Sequence, residues 1–187
     1  MPSSSKRRFR SETFDSQIKK LSGRVLEIGC GSKIGNPQYT RKCDVTMIEK
    51  SPRRAERLAK DLASFGTSAA RVIQADAANL SFPDNYFDAV VGSFVLCSVD
   101  DVAQVLKELG RVSKHGAKFL FLEHFPSKIP FINAFMSALT PVSICFCNNC
   151  HLNREPLFYL KQSFFEVDEF LISGELIPWI FVSASRR

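Results

Sequence analysis

Val25-Leu26-Glu27-Ile28-Gly29-Cys30-Gly31-Ser32 limits the fold more than any other stretch of the chain. Its first four residues read as the end of a buried strand. Two glycines follow where the chain must turn sharply and a side chain would obstruct either the turn or a ligand. Such a strand–glycine–helix junction leaves backbone N–H groups free and opens a crevice at the carboxyl edge of a parallel sheet. A Gly-x-Gly also occurs in plain turns, so the rest of the chain must decide between the two.

The rest alternates. Ser11 can cap a helix with Phe14, Ile18 and Leu21 on one face, ended by Ser22-Gly23. Strands are expected at Arg24–Ile28, Asp44–Ile48, Arg71–Ala75, Phe87–Ser93 and Lys118–Leu122. Ser51-Pro52 opens a helix with an N-cap hydroxyl and a proline in the first turn, and Gly66 stops it. Asp100 or Asp101 caps the next helix, which buries Val102, Val105, Leu106, Leu109 and Val112 and ends at Lys114-His115-Gly116. This β–α alternation predicts an α/β fold with a doubly wound parallel sheet.

From Phe125 the texture changes. Residues 125–150 are rich in Phe, Ile and Pro, carry Lys128 as their single charge, and show weak helical periodicity at Phe131, Ala134, Phe135 and Ala138. A lid-like insertion over an apolar acceptor is expected; a lipid-facing helix and a simple core cover are the other readings. Asn153 then caps a short helix, and strands at Phe165–Ile172 and Pro178–Ser183 close the chain as a hairpin-like pair. The domain reading is a disordered basic N-terminus over 1–10 and a single domain over 11–187.

The second strand runs into Glu49, 18 residues beyond Gly31. At that spacing a carboxylate meets a ribose diol in doubly wound folds, accepting two hydroxyl hydrogen bonds. Glu27-Ile-Gly-Cys-Gly31, then Glu49, then Asp76, then Phe82-Pro-Asp-Asn-Tyr-Phe-Asp-Ala-Val-Val91 is an order that resembles the class I S-adenosylmethionine-dependent methyltransferases with a type 11 domain. NAD-binding Rossmann proteins share the first two features but have a third glycine where this chain has Ile34. Lys33 stands where the methyltransferases often have a further glycine.

The resemblance implies a Rossmann-like seven-stranded sheet, mostly parallel with an antiparallel last strand, and helices on both faces. It implies S-adenosylmethionine as cofactor. Glu27 would lie near its ammonium, Gly29, Cys30 and Gly31 along its methionine end, Glu49 at the ribose, and Asp76 with Ala77 at the adenine. Ser93 and Phe94 would face the same crevice. Plainer readings stand beside these: a strand-end acid for Glu27, an ion pair to Lys50 or Arg53 for Glu49, a turn residue for Asp76, and core packing for Phe94.

Three further stretches are similar to the small thiol S-methyltransferases of the methyltransferase-like family: Leu96-Cys97-Ser98-Val99, Glu123-His124, and Cys150-His151-Leu152-Asn153-Arg154-Glu155. Asn153 replaces that family's threonine, and either residue caps a helix. The similarity implies methyl transfer to a small apolar acceptor, a thiol first, with a phospholipid amine or quinone-type ring as alternative. A thiol needs only a modest base to form thiolate. His124 is the candidate catalytic residue, and Cys150 and His151 are candidates for binding the acceptor; structural roles are the alternative for each. A non-catalytic cofactor-binding or peripheral membrane module is the remaining reading.

Composition narrows the partners. At 187 residues the chain suits one domain with a real core. It has no apolar run of about 18 residues and no apolar segment behind the basic N-terminus, so neither a spanning helix nor a secretory signal is expected. Nor is an N-terminal anchor of the kind that animal relatives carry. The expectation is a cytoplasmic monomer with six reduced cysteines, a small-molecule acceptor, no nucleic acid partner, and membrane association as a second possibility given the +6 charge. Cys145, Cys147, Cys150 and His151 are of metal-ligand type but lack a second pair, so no metal is expected.

Overall fold

The structure, a computed structural model, describes residues 13–31, 42–66, 69–174 and 178–187. The expectations for residues 1–10, Ser11, Lys33 and Ile34 lie outside the described residues.

The strands are β1 (Arg24–Ile28), β2 (Asp44–Glu49), β3 (Ala70–Gln74), β4 (Phe87–Ser93), β5 (Ser113–His124), β6 (Phe165–Ser173) and β7 (Trp179–Arg186). They form one sheet in the order β3-β2-β1-β4-β5-β7-β6. Strands β1 to β5 pair in parallel, and β7 lies antiparallel between β5 and β6. The chain winds outward from β1 to β3 and then returns to the other side of β1. The strand order therefore reverses beside β1, and a crevice opens there beyond the carboxyl ends of the strands.

Period-two alternation makes two cores, one on each face. Helix α1 (residues 13–18) and α2 (Pro52–Ser64) bring Phe14, Ile18 and Leu58 against Val25, Val45, Met47, Val91, Leu120 and Phe181. Helix α3 (Val102–Val112) and α5 (Pro156–Lys161) bring Val105, Leu109 and Leu160 against Leu26, Val90, Phe119, Phe121 and Val182. Adjacent residues such as Leu120 and Phe121 serve opposite faces. Each fully buried large apolar side chain contributes about 1.5–3 kcal/mol.

Local chemistry departs from expectation at three points and decides between two caps at a fourth. Ser51 holds the N-cap position of α2, but its hydroxyl makes no capping bond; its N–H donates to the Glu49 carboxylate at 2.9 Å. Asp101 is the cap of α3, accepting from the Gln104 N–H at 2.9 Å. That helix stops at Val112, and residues 113–116 belong to β5, because Ser113 is already extended and pairs with Phe87. Helix α5 starts at Pro156 behind Glu155, so Asn153 is not its cap; proline in the first turn sets the start.

Helix α4 (Pro130–Phe146) falls within the apolar segment and contributes to neither core. The periodicity marked a real helix but not its buried side. Phe131 is 82% exposed, Phe135 58% and Phe146 84%, whereas Met136, Thr140 and Ser143 are buried. Among the described residues, no helix is long and apolar enough to cross a membrane.

Candidate active site

Gly29 and Gly31 both hold positive φ, +61° and +71°. They do different work. A Cβ on Gly29 would stand 2.5 Å from Val95 Cγ2, so the loop after β4 closes on that position. A Cβ on Gly31 would meet nothing of the described residues within 4 Å. The Gly31 N–H donates to Glu49 Oε2 at 2.9 Å, tying the tip of β1 to the tip of β2.

Glu49 is buried. Its Oε1 accepts from Ser51 N at 2.9 Å and from Arg54 at 2.7 and 3.0 Å. The ion pair is therefore with Arg54 rather than Lys50 or Arg53. Lys50 instead bridges Asp76 at 2.9 Å and Asp100 at 3.2 Å, and those two carboxylates raise its pKa. Burial alone would raise the Asp76 pKa, but the Ala78 N–H at 3.0 Å and Lys50 outweigh it and hold the carboxyl below its ordinary range.

These groups line a cavity of about 440 Å³, within the range of about 300–1,000 Å³ usual for small-molecule sites. Of the residues named from the sequence, Gly29, Gly31, Glu49, Asp76, Ala77 and Phe94 line it. Glu27, Cys30, Ser93, His124, Cys150 and His151 do not. Cys30 turns its Sγ to the Glu27 carbonyl at 3.2 Å. Burial, then the charges of Glu27 and Glu49, push its thiol well up, which makes it an inert turn residue.

Sequence reasoning missed Lys50, Arg54, Ser98, Asp100, Asn148 and Asn149, all of which face the cavity. The asparagines follow α4 with φ of +55° and +61°. Arg54 reaches the Asn148 side chain, and Asn149 Nδ2 donates to the Ser98 carbonyl at 2.8 Å and to Asp100 at 2.9 Å. The apolar segment thus meets the cavity through its polar end. An Asn-Asn pair behind a helical pattern is a signal for left-handed backbone and could have marked this turn.

Beside the cavity, Leu96–Val99, Glu123-His124 and the stretch from Cys150 to Arg154 are wired together. Glu123, fully buried at the end of β5, accepts from the N–H groups of Val95, Leu96 and Cys97 at 2.9, 2.8 and 3.1 Å. Burial raises its pKa, and those N–H groups oppose the rise. The His151 N–H donates to the Cys97 carbonyl at 2.8 Å, and Arg154 binds the carbonyls of Leu96 and Val99 at 2.9 and 2.6 Å.

His124 packs on Phe94 with ring centroids 4.6 Å apart. Its Nδ1 lies 3.3 Å from Cys150 Sγ and 3.7 Å from Cys97 Sγ, and the sulfurs are 3.6 Å apart. The sulfur–sulfur hydrogen bond with Cys97 lowers the Cys150 thiol pKa, against the effect of burial and with help from His124. Cys97 moves the other way through that same bond, burial and Glu123. The His151 ring stays outside the cluster, its pKa pushed down by burial and Arg154. Cys145 and Cys147 are exposed and do not join it.

A nucleoside cofactor fits this arrangement. Among the described residues nothing fills the cavity beside Gly31, and Glu49 Oε2 accepts one N–H, which leaves an acceptor position for a ribose hydroxyl. Residues 26–121 match a family model described as a methyltransferase domain, and the chain belongs to that family, whose cofactor is S-adenosylmethionine.

The chain is 32% identical over 149 residues to a thiol S-methyltransferase of Homo sapiens, covering 78% of this chain and 60% of that one. It is 31% identical over 170 residues to a 2-phytyl-1,4-naphtoquinone methyltransferase of Nostoc punctiforme, covering 84% and 70%. It spans about half to three fifths of the length of the first curated relatives. The solved YcgJ protein of Bacillus subtilis shares the fold, with a TM-score of 0.76 at 16% identity over 94% of this chain and 98% of that one.

Proposed function

We propose that the chain transfers the methyl group of S-adenosylmethionine to the sulfur of a small apolar thiol. The observation that supports the acceptor is the meeting of Cys97, Glu123-His124 and Cys150–Arg154 at one edge of the cofactor cavity. Those stretches are far apart in sequence, and each carries the resemblance to thiol S-methyltransferases.

The bound cofactor supplies a methyl on a sulfonium, whose leaving group needs no general acid. The protein's share is to align acceptor and methyl and to exclude water. Glu49 and Asp76 would hold the nucleoside in the cavity they line, Gly31 would leave room for its methionine end, and Phe94 touches both the cavity and the His124 ring. His124 is assigned to activation of the acceptor, and Cys150 and His151 to its pocket. A phospholipid amine or a quinone-type ring is the alternative acceptor.

The test is a panel of thiols, amines and phenols with labelled cofactor, read by product mass. Thioether products are expected. Methylation of amines or phenols alone would replace the thiol, and cofactor binding without any turnover would leave a binding module.

We infer also that α4 rests on an anionic lipid surface. Its outward row of Phe131, Phe135, Leu139, Val142 and Phe146 is apolar, and the chain's net charge of +6 suits such a surface.

A further inference from the structure

We propose that Cys97, His124 and Cys150 form a site for one zinc ion, with the fourth coordination position left for the acceptor. Zinc held tetrahedrally by sulfur at about 2.3 Å and imidazole nitrogen at about 2.0–2.1 Å sets sulfur–sulfur edges of about 3.8 Å and sulfur–nitrogen edges of about 3.5 Å. The cluster has a sulfur–sulfur edge of 3.6 Å and sulfur–nitrogen edges of 3.3 and 3.7 Å. Each lies within about 0.2–0.3 Å of the edge such a tetrahedron would set. A hydrogen-bonded cysteine pair requires only its own contact. A third ligand atom placed at ligand-edge distance from both sulfurs is what a common centre requires.

The ligands are fixed independently of any ion. Glu123 and His151 hold the Cys97 backbone from both sides, Phe94 backs the His124 ring, and both cysteines are buried. Three protein ligands of soft or borderline type with one position open is the pattern of zinc sites that do chemistry, whereas structural sites close with four. Ser98 and Phe94 both line the cofactor cavity. Ser98 Oγ is also 3.5 Å from Cys97 Sγ, so the cluster lies one side chain from the cavity.

The role of the ion, though not the geometry of the site, rests on the thiol reading. An acceptor R–SH taking the fourth position gives its proton to solvent and keeps the sulfur electron pair. That pair forms the new S–CH3 bond as the sulfonium–methyl bond breaks, giving a neutral thioether and S-adenosylhomocysteine. A neutral thioether is a poorer ligand than thiolate, so product leaves. Zinc is proposed because it lowers the pKa of a bound ligand without redox chemistry of its own.

The test uses the full chain with Cys145→Ser and Cys147→Ser, which removes the exposed thiols. Zinc is titrated and counted by native mass spectrometry, and cobalt is titrated for thiolate charge-transfer absorption. One equivalent is expected, with a rise in melting temperature. Affinity should fall at least about 100-fold in Cys97→Ser and in Cys150→Ser. Less than a tenth of an equivalent, or binding that survives both substitutions, overturns the site. If a variant unfolds, the absence of a zinc-induced melting shift in the parent overturns it instead. Thiols methylated equally well by zinc-free protein would overturn the ion's role and leave the thiol reading standing. Zinc bound as described with no thiol methylated would uphold the site and sink the thiol reading.

Discussion

Gly29 and Gly31 carry the same backbone requirement but different surroundings, so their alanine variants should separate. Left-handed backbone costs about 1–2 kcal/mol at either position once a Cβ is present. Gly31→Ala adds no contact, so we expect that loss alone in urea unfolding, together with weaker cofactor binding by calorimetry because the methyl enters the cavity. Gly29→Ala drives its Cβ into Val95 and should lose about 1–3 kcal/mol more. Equal losses would refute the distinction. Glu123 is the other decisive residue. Glu123→Gln keeps one acceptor oxygen and turns an NH2 toward backbone donors, which should cost about 1–3 kcal/mol of unfolding free energy. An unchanged urea midpoint would show that the loop from 95 to 97 does not depend on this carboxylate.

Among the elements, α4 is the one whose pattern misleads. Its apolar periodicity is that of a helix packed on a core, yet the stripe faces outward and the small polar side faces in. If α4 rests on an anionic membrane surface as proposed, flotation with phosphatidylserine-containing vesicles should carry the protein upward. Replacing Phe131 and Phe135 by serine should weaken that association about tenfold or more, since burial of each ring is worth at least about 1.5 kcal/mol. Equal flotation of parent and variant would remove α4 as the contact. The strands were easier to read. Phe87–Ser93 is, apart from Asp88, an apolar run suited to a sheet covered on both faces, and the structure covers it on both.

At the scale of the whole molecule, Asp88 joins three strands. It accepts from the Arg24 N–H at 2.8 Å and pairs with Lys114, and its carboxyl abuts Gly23. Burial alone would raise its pKa, but Lys114 and that N–H outweigh burial and the net shift is downward. A carboxylate depressed in the folded state stabilises above its unfolded pKa of about 3.9 and loses that contribution as pH falls through the folded value. Asp76 and Glu108 shift in the same direction. Stability should therefore drop steeply below about pH 4, and Asp88→Asn should flatten the slope in acid titrations followed by circular dichroism. A variant with the parent's slope would assign acid lability elsewhere. The sequence alone determined the order of strands and helices, the switch-point glycines and the acids at 49 and 76, because these depend on local periodicity and on spacing within one crossover unit. Tertiary structure alone decided that Arg54, Asn148 and Asn149 line the cavity, that α4 turns its aromatic side outward, and that the side chains of Cys97, His124 and Cys150 meet. Those residues lie 26 to 94 positions from their partners, and no local pattern encodes which loops the sheet's edge will bring together.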